Sequence, residues 1–123
     1  MMKILITGGA GCLGSNIIEH YIPKGYKICV IDNFATGKKE LVSGLDNLTL
    51  YEGSIFNKDL VEDVFKEFKP NYVIHSAASY KDPENFIEDI NTNIQGTVNV
   101  ANAVKKVSSV EKFINFQTAL CYG

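Results

Sequence analysis

The sequence predicts an α/β fold: a doubly wound parallel sheet of five strands in the order 3-2-1-4-5. Three observations carry that prediction. Short β-branched apolar runs alternate with segments of helical periodicity along the whole chain. The strand runs are almost continuously apolar, as in a parallel sheet covered on both faces by crossover helices. A glycine-rich turn, Thr7-Gly8-Gly9-Ala10-Gly11-Cys12-Leu13-Gly14, joins the first strand to the first helix.

The elements follow in order. Residues 3–7 are strand one. Residues 12–22 form a helix with Leu13, Ile17, Ile18 and Tyr21 on one face, ended by Pro23 and Gly25. Residues 27–32 are strand two, and Asn33 to Gly44 is a polar loop with one helical turn. Residues 48–52 are strand three. Asn57 caps a helix through Phe68, whose buried stripe is Leu60, Val61, Val64, Phe65 and Phe68, and Pro70 stops it. Residues 72–75 are strand four. Asp82-Pro83 reads as an N-cap and first helical residue. The helix after it runs to about Lys106 with a break near Glu88, and Ile90, Ile94, Val98, Ala101 and Val104 share a face. Residues 112–116 are strand five. Right-handed crossovers make the sheet doubly wound, with a ligand crevice at the carboxyl ends of strands one and four.

The glycine turn points to a pyrophosphate. Gly9, Gly11 and Gly14 fit G-x-G-x-x-G, and Gly8, Gly11 and Gly14 fit G-x-x-G-x-x-G. Such glycines permit a tight turn, close approach of main chain to phosphate, and close helix–strand packing. The helix that starts there offers free N–H groups and a partial positive charge. Alone, the pattern equally describes a tight strand-to-helix turn. Its context decides: eighteen residues past Gly14, strand two ends in Asp32. A carboxylate there accepts hydrogen bonds from an adenosine ribose and repels a 2′-phosphate, so NAD is expected over NADP. Lys38 and Lys39 nearby are the counter-argument. The plainer reading of Asp32 is a cap or solvated turn residue.

Bulk properties exclude several classes. A chain of 123 residues, 46% hydrophobic, is one domain that buries roughly two-thirds of its unfolded surface. A net charge of −2 makes no case for nucleic acid or an anionic membrane surface. No apolar run approaches the roughly 20 residues that span a bilayer. Met1 to Thr7 enters a strand directly, without signal-peptide organisation. Cys12, Cys29 and Cys121 form neither a disulfide framework nor a zinc motif, so a cytoplasmic setting is expected and no metal site. Cys29 reads as core. Cys12 sits beside the phosphate turn, where its thiolate can be stabilised, although small-residue packing explains it too.

Further segments carry a family resemblance. Strand four runs into His75-Ser76-Ala77-Ala78, the long helix carries Asn93-Ile94-Gln95-Gly96-Thr97-Val98-Asn99, and strand five runs into Phe116-Gln117-Thr118-Ala119-Leu120-Cys121-Tyr122-Gly123. With the glycine turn and Asp32-Asn33-Phe34-Ala35-Thr36-Gly37, the chain resembles the extended short-chain dehydrogenase/reductase family, with its Rossmann-like fold. Within it the chain is most similar to NAD-dependent nucleotide-sugar epimerases and dehydratases of the UDP-glucose 4-epimerase kind.

The resemblance implies roles residue by residue. Gly8, Gly11 and Gly14, with the backbone of Cys12 and Leu13, hold the pyrophosphate. Asp32 binds the adenosine ribose, and Asn33, Phe34, Thr36 and Gly37 continue that wall. Ser54-Ile55 stands beside the adenine, where the family usually has Asp-Ile or Asp-Val, so a neutral hydroxyl replaces an acid. Ala77 and Ala78 line the cofactor's ribose and phosphates. Asn93 orients the strand-four loop. Thr118 matches the family's active-site hydroxyl on the reacting sugar. The implied reaction takes hydride from C4 of a nucleotide sugar, expected to be a UDP-sugar, to NAD and returns it to the other face of the transient 4-keto sugar.

Bland readings stand beside these roles. His75 reads as a structural histidine satisfied by nearby backbone, and His20 as a surface or boundary residue. Asn93 is also an ordinary helix-face residue holding a loop, and Thr118 an ordinary strand-end threonine. Tyr122 matches the family's structural Tyr-Gly pair, not its catalytic phenol. The family's proton-transfer pair, Tyr-x-x-x-Lys on one helix face, is absent from these residues. The chain is therefore expected to be the amino-terminal, NAD-binding part (1–123) of a longer enzyme, without its substrate lobe and inactive by itself. The resemblance implies a homodimer through the helix at about 90–106, paired with the catalytic helix that these residues lack. A 4,6-dehydratase is disfavoured because Ala119-Leu120 replaces that group's Asp-Glu. A reductase, a keto-sugar decarboxylase and a non-catalytic NAD-binding module remain alternatives.

Overall fold

Ile4, Leu5 and Ile6 are all buried, which explains the unbroken apolar run of the first strand: successive side chains point to opposite faces of a sheet, and both faces are covered. The computed structural model describes residues 2–80 and 82–117. Its strands are β1 (Lys3–Thr7), β2 (Lys27–Asp32), β3 (Leu48–Glu52), β4 (Tyr72–His75) and β5 (Lys112–Asn115). They form one parallel sheet in the order β3-β2-β1-β4-β5, as expected. The register aligns Thr7 with Ile31 on one side and His75 on the other. The carboxyl ends of β1, β2 and β4 therefore lie level, and the loops that leave them converge.

The helices cover the two faces unequally. On one face, α1 (Cys12–Tyr21) packs Ile18 with Ile4, Ile6, Ile28, Val30 and Ile74. On the other, α2 (Lys58–Phe68) and α4 (Thr97–Lys106) enclose Leu5, Cys29, Ile31 and Val73. Cys29 is core, as read from sequence, and burial pushes its thiol pKa up to about 12. Asn57 caps α2, its side chain accepting from the Leu60 N–H at 3.2 Å. Val61, Val64, Phe65 and Phe68 form the buried stripe, with Leu60 at its margin. The polar loop after β2 contains one 3-10 turn, Lys39–Leu41.

Three expectations are corrected. The first helix ends at Tyr21, because Pro23 starts a 3-10 turn over Ile22–Lys24 and Gly25 closes it at φ +86°. Asp82 caps a turn, its carboxylate accepting from the Glu84 N–H at 3.0 Å. Helix α3 (Phe86–Asp89) begins later, with Asn85 accepting from the Glu88 N–H at 3.1 Å. A short acidic side chain satisfied by a local turn has no need of a helix. The break expected near Glu88 is a π-helical stretch, Ile90–Gly96, running directly into α4.

The third correction concerns the long helix's face. Its buried residues are Thr92, Gly96, Asn99, Val100 and Ala103. Ile90, Ile94 and Val98 point outward, Ile94 with 61% of its surface exposed. Wider π turns shift the angular position of every following residue, so a 3.6-residue period misassigns the face. Val104 does pack against the core. Phe86 and Ile87 are exposed beside this outward stripe.

Candidate functional site

The loops leaving β1 to β4 enclose a cavity of about 510 Å³. Its floor is the glycine turn. Gly8 adopts φ +71°, and a Cβ there would come within 2.9 Å of the Ala77 backbone. A Cβ on Gly14 would lie 2.5 Å from the Gly9 Cα and 2.6 Å from the Gly8 carbonyl oxygen. The turn thus needs glycine for both reasons that its spacing implies: left-handed backbone and close approach. Helix α1 starts on Gly11, which has no side chain to cap it, and its first turn carries no acidic residue. Its amide dipoles are presented to the cavity uncompensated, which suits an anion.

Asp32 closes the β2 side and is 8% exposed. One carboxylate oxygen accepts the Ala10 N–H at 2.9 Å and the other accepts the Phe34 N–H at 2.7 Å. Sequence reasoning offered a ligand contact and, as the plainer reading, a cap or turn residue. Asp32 also ties the glycine turn to the end of β2, and each oxygen keeps a second lone pair for a hydroxyl in the cavity. The next residues are shaped by their own side chains: Asn33 accepts from the Ala35 N–H at 3.0 Å, and Phe34 sits at φ +58°.

Most of the predicted residues meet here. Gly8, Gly11, Cys12, Leu13, Gly14, Asp32, Asn33, Thr36, Ser54, Ile55, Ala77 and Ala78 all line the cavity. Leu13, expected in the helix core, is 45% exposed and faces this space instead. Phe34, Gly37 and Asn93 do not line it. Phe34 packs against the α1-side core. Gly37 lies against Ala10, next to the Lys38 N–H that donates to the Ala10 carbonyl. Asn93 works from behind: its side chain accepts from the Ser79 N–H and donates to the Ser79 carbonyl, both at 2.8 Å. Thr118, Cys121 and Tyr122 lie outside the described residues.

Sequence reasoning missed the far end. Tyr80, Asp82, Asn85, Glu88 and Thr92 extend the cavity beyond β4, with Phe116 from the end of β5. Thr92 donates to a Glu88 carboxylate oxygen at 3.1 Å. Their only signal was proximity to the strand-four loop. Among the described residues no cluster of His, Cys, Asp and Glu has metal-binding geometry.

His75 is buried under the wall, bonded to side chains and not to the backbone partners expected. Its Nδ1 lies 2.6 Å from the Thr7 hydroxyl and its Nε2 lies 2.8 Å from the Thr97 hydroxyl. Burial pushes its pKa down to about 4.

An uncapped helix start over a glycine cradle, with a carboxylate at the end of the second strand, is a dinucleotide-shaped arrangement, and the comparisons identify it. Residues 4–123 match the NAD dependent epimerase/dehydratase family. The chain belongs to that family. It is 34% identical over 125 residues to UDP-glucuronic acid decarboxylase 1 of Arabidopsis thaliana, covering 99% of this chain and 27% of the plant enzyme. It is 32% identical to UDP-glucose 4-epimerase of Bacillus subtilis, with 99% and 38% covered. The Bordetella bronchiseptica enzyme WbmG, solved in complex with NAD, superposes with a TM-score of 0.96 at 57% identity, over 99% of this chain and 39% of that one. The family member described here thus spans about a quarter to two-fifths of the length of these relatives.

Proposed function

We propose that the protein carrying this chain is an NAD-dependent nucleotide-sugar 4-epimerase, and that residues 1–123 form its cofactor-binding portion. The observation that carries the cofactor reading is the pairing of the glycine cradle with Asp32. The cradle takes the pyrophosphate on the α1 amides, and Asp32 takes the adenosine ribose through the lone pairs that Ala10 and Phe34 leave free. Asn33 and Thr36 extend the ribose wall. Ser54 and Ile55 flank the adenine, and Ala77 and Ala78, which lack bulk, admit the second ribose. WbmG, 57% identical, was crystallised with NAD and also with NAD and UDP, which supports a uridine nucleotide sugar as substrate.

When bound, NAD accepts hydride from the sugar and returns it. This chain's part is to hold that acceptor in register, and Thr118 hydrogen-bonds the sugar hydroxyl being oxidised. The proton goes to a base supplied beyond these residues. Ala119-Leu120 offers neither acid nor base next to Thr118, which disfavours elimination of water and supports epimerisation. The 34% identity to a UDP-glucuronic acid decarboxylase favours one second reading, decarboxylation through the same 4-keto intermediate.

Ile90, Ile94 and Val98, with Phe86 and Ile87, leave large apolar side chains exposed along one stretch of chain, as an interaction surface does. In the whole protein a further helix and a second copy cover it. The reading is tested by incubating the full-length protein with UDP-, GDP- and dTDP-sugars and resolving the products. Interconversion of C4 epimers is expected. Carbon dioxide release from UDP-glucuronate without epimerisation establishes the second reading, and no turnover on any sugar leaves a binding module.

A further inference from the structure

We propose that His75 is a positioning residue for the cofactor cavity: as a neutral imidazole protonated on Nε2, it clamps the Ser76–Ser79 wall to the glycine-turn strand. The bond directions require that tautomer. The Thr97 hydroxyl donates its proton to the Asn93 carbonyl at 2.7 Å. It has none left for His75, so Nε2–H must donate to it across 2.8 Å. Nδ1 is then an acceptor, and the Thr7 hydroxyl 2.6 Å away donates to it. With its proton committed, the Thr7 oxygen accepts the Ser76 and Ala77 N–H groups, each at 3.2 Å.

Every bond in this chain points one way, and both ends reach the same wall. At one end Thr7 holds Ser76 and Ala77. At the other, Thr97 holds the Asn93 carbonyl, and the Asn93 side chain makes paired bonds to Ser79. Ser76 adds a bond from its hydroxyl to the Thr7 carbonyl at 2.6 Å. The wall segment carries Ala77 and Ala78, and it passes so near the turn that a Cβ on Gly8 would come within 2.9 Å of the Ala77 backbone. A loop so placed sets the width of the cleft between the phosphate turn and β4. His75 touches no ligand and acts through Thr7 and Thr97. Burial that keeps the imidazole neutral preserves the directions.

The inference rests on the NAD reading of the cavity, and two measurements separate the two. In the full-length protein, Thr97→Val keeps side-chain volume and removes the hydroxyl, whereas Thr97→Ser keeps the hydroxyl. NAD titration is expected to show a Kd raised about fivefold to tenfold in Thr97→Val and restored to within about twofold in Thr97→Ser. Without any nucleotide, ¹⁵N imidazole spectra are expected to show His75 protonated on Nε2 alone at pH 7, and amide exchange at Ser76–Ser79 is expected to quicken in Thr97→Val. Wild-type protein that binds no NAD overturns the cofactor reading. A folded Thr97→Val with wild-type Kd and wild-type exchange, or an Nδ1–H tautomer, overturns the clamp. His75→Asn, which retains an acceptor toward Thr7, supplies a second folded variant for the same titration.

Discussion

Asp32 shows how one side chain serves the fold and, in the proposed reading, the ligand. Its carboxylate anchors two backbone amides and lines the cavity at the β2 rim of the cradle. Removing it as Asp32→Ala leaves those amides bare, at a cost of about 1–3 kcal/mol of stability. It also removes the repulsion of a 2′-phosphate. NAD titration of the folded variant is expected to show weaker binding and a lower preference for NAD over NADP. An unchanged ratio excludes Asp32 as the ribose residue. His75 makes a prediction against pH. Its folded pKa of about 4 lies below the ordinary 6.5, so the unfolded chain takes up the proton first as pH falls. The contribution to stability is complete above about pH 6.5, declines between 6.5 and about 4, and is gone below. Its size is roughly 3 kcal/mol. Urea midpoints measured across that window are expected to fall in the wild type and to lose this part of the slope in His75→Asn.

At the scale of elements, the connections between strands and helices position the site. The β3–α2 connection is held from behind by Asn99, whose amide donates to the Ile55 carbonyl at 2.9 Å and the Phe56 carbonyl at 3.1 Å. Ser54 stiffens the same turn by accepting from the Phe56 N–H at 3.1 Å. Asn99→Ala strips two carbonyls of their partner. It is expected to cost about 1–3 kcal/mol in thermal unfolding and to weaken NAD binding severalfold, while Asn99→Gln recovers part of both. The strand ends, the α2 cap and the buried stripe of α2 were legible because each follows from local chemistry and a fixed period. The long helix was not legible in the same way. Its apolar period of 90, 94 and 98 is real, yet it faces outward, because a π-helical stretch rotates the face and because Gly96 and Asn99 suit the crowded contact with Ile55 better than bulk does. Asp82 was misread because a turn and a helix cap use the same carboxylate–amide bond.

Across the whole molecule, the sheet has two edge strands among the described residues, β3 and β5. At the β5 edge Ile114 and Phe116 are exposed, as is the Phe86-to-Val98 stripe. These surfaces fit a chain that covers 27–39% of its relatives' lengths. Ile94→Lys places a charge on the stripe without touching the cavity or the buried face. In the homodimer proposed for the full-length protein it is expected to shift light-scattering mass toward the monomer and leave NAD affinity within about twofold. Retention of the dimer excludes this face as the interface.

The sequence by itself determined the fold class, the strand order, the glycine turn and the place of Asp32 at a strand end, each through spacing along the chain: a strand period, a glycine interval, a carboxylate after the second apolar run. The family and its nicotinamide cofactor were legible as a resemblance carried by several motifs in order. Only the tertiary structure decided what lies behind the cavity wall. His75 meets Thr7 and Thr97 from 68 and 22 residues away, and Asn99 meets Ile55 across 44. Contacts at such separations leave no periodic trace, because they are made when the sheet register brings strand ends level. The same holds for the outward stripe, since an apolar face looks alike in sequence whether its partner belongs to the core or to another surface.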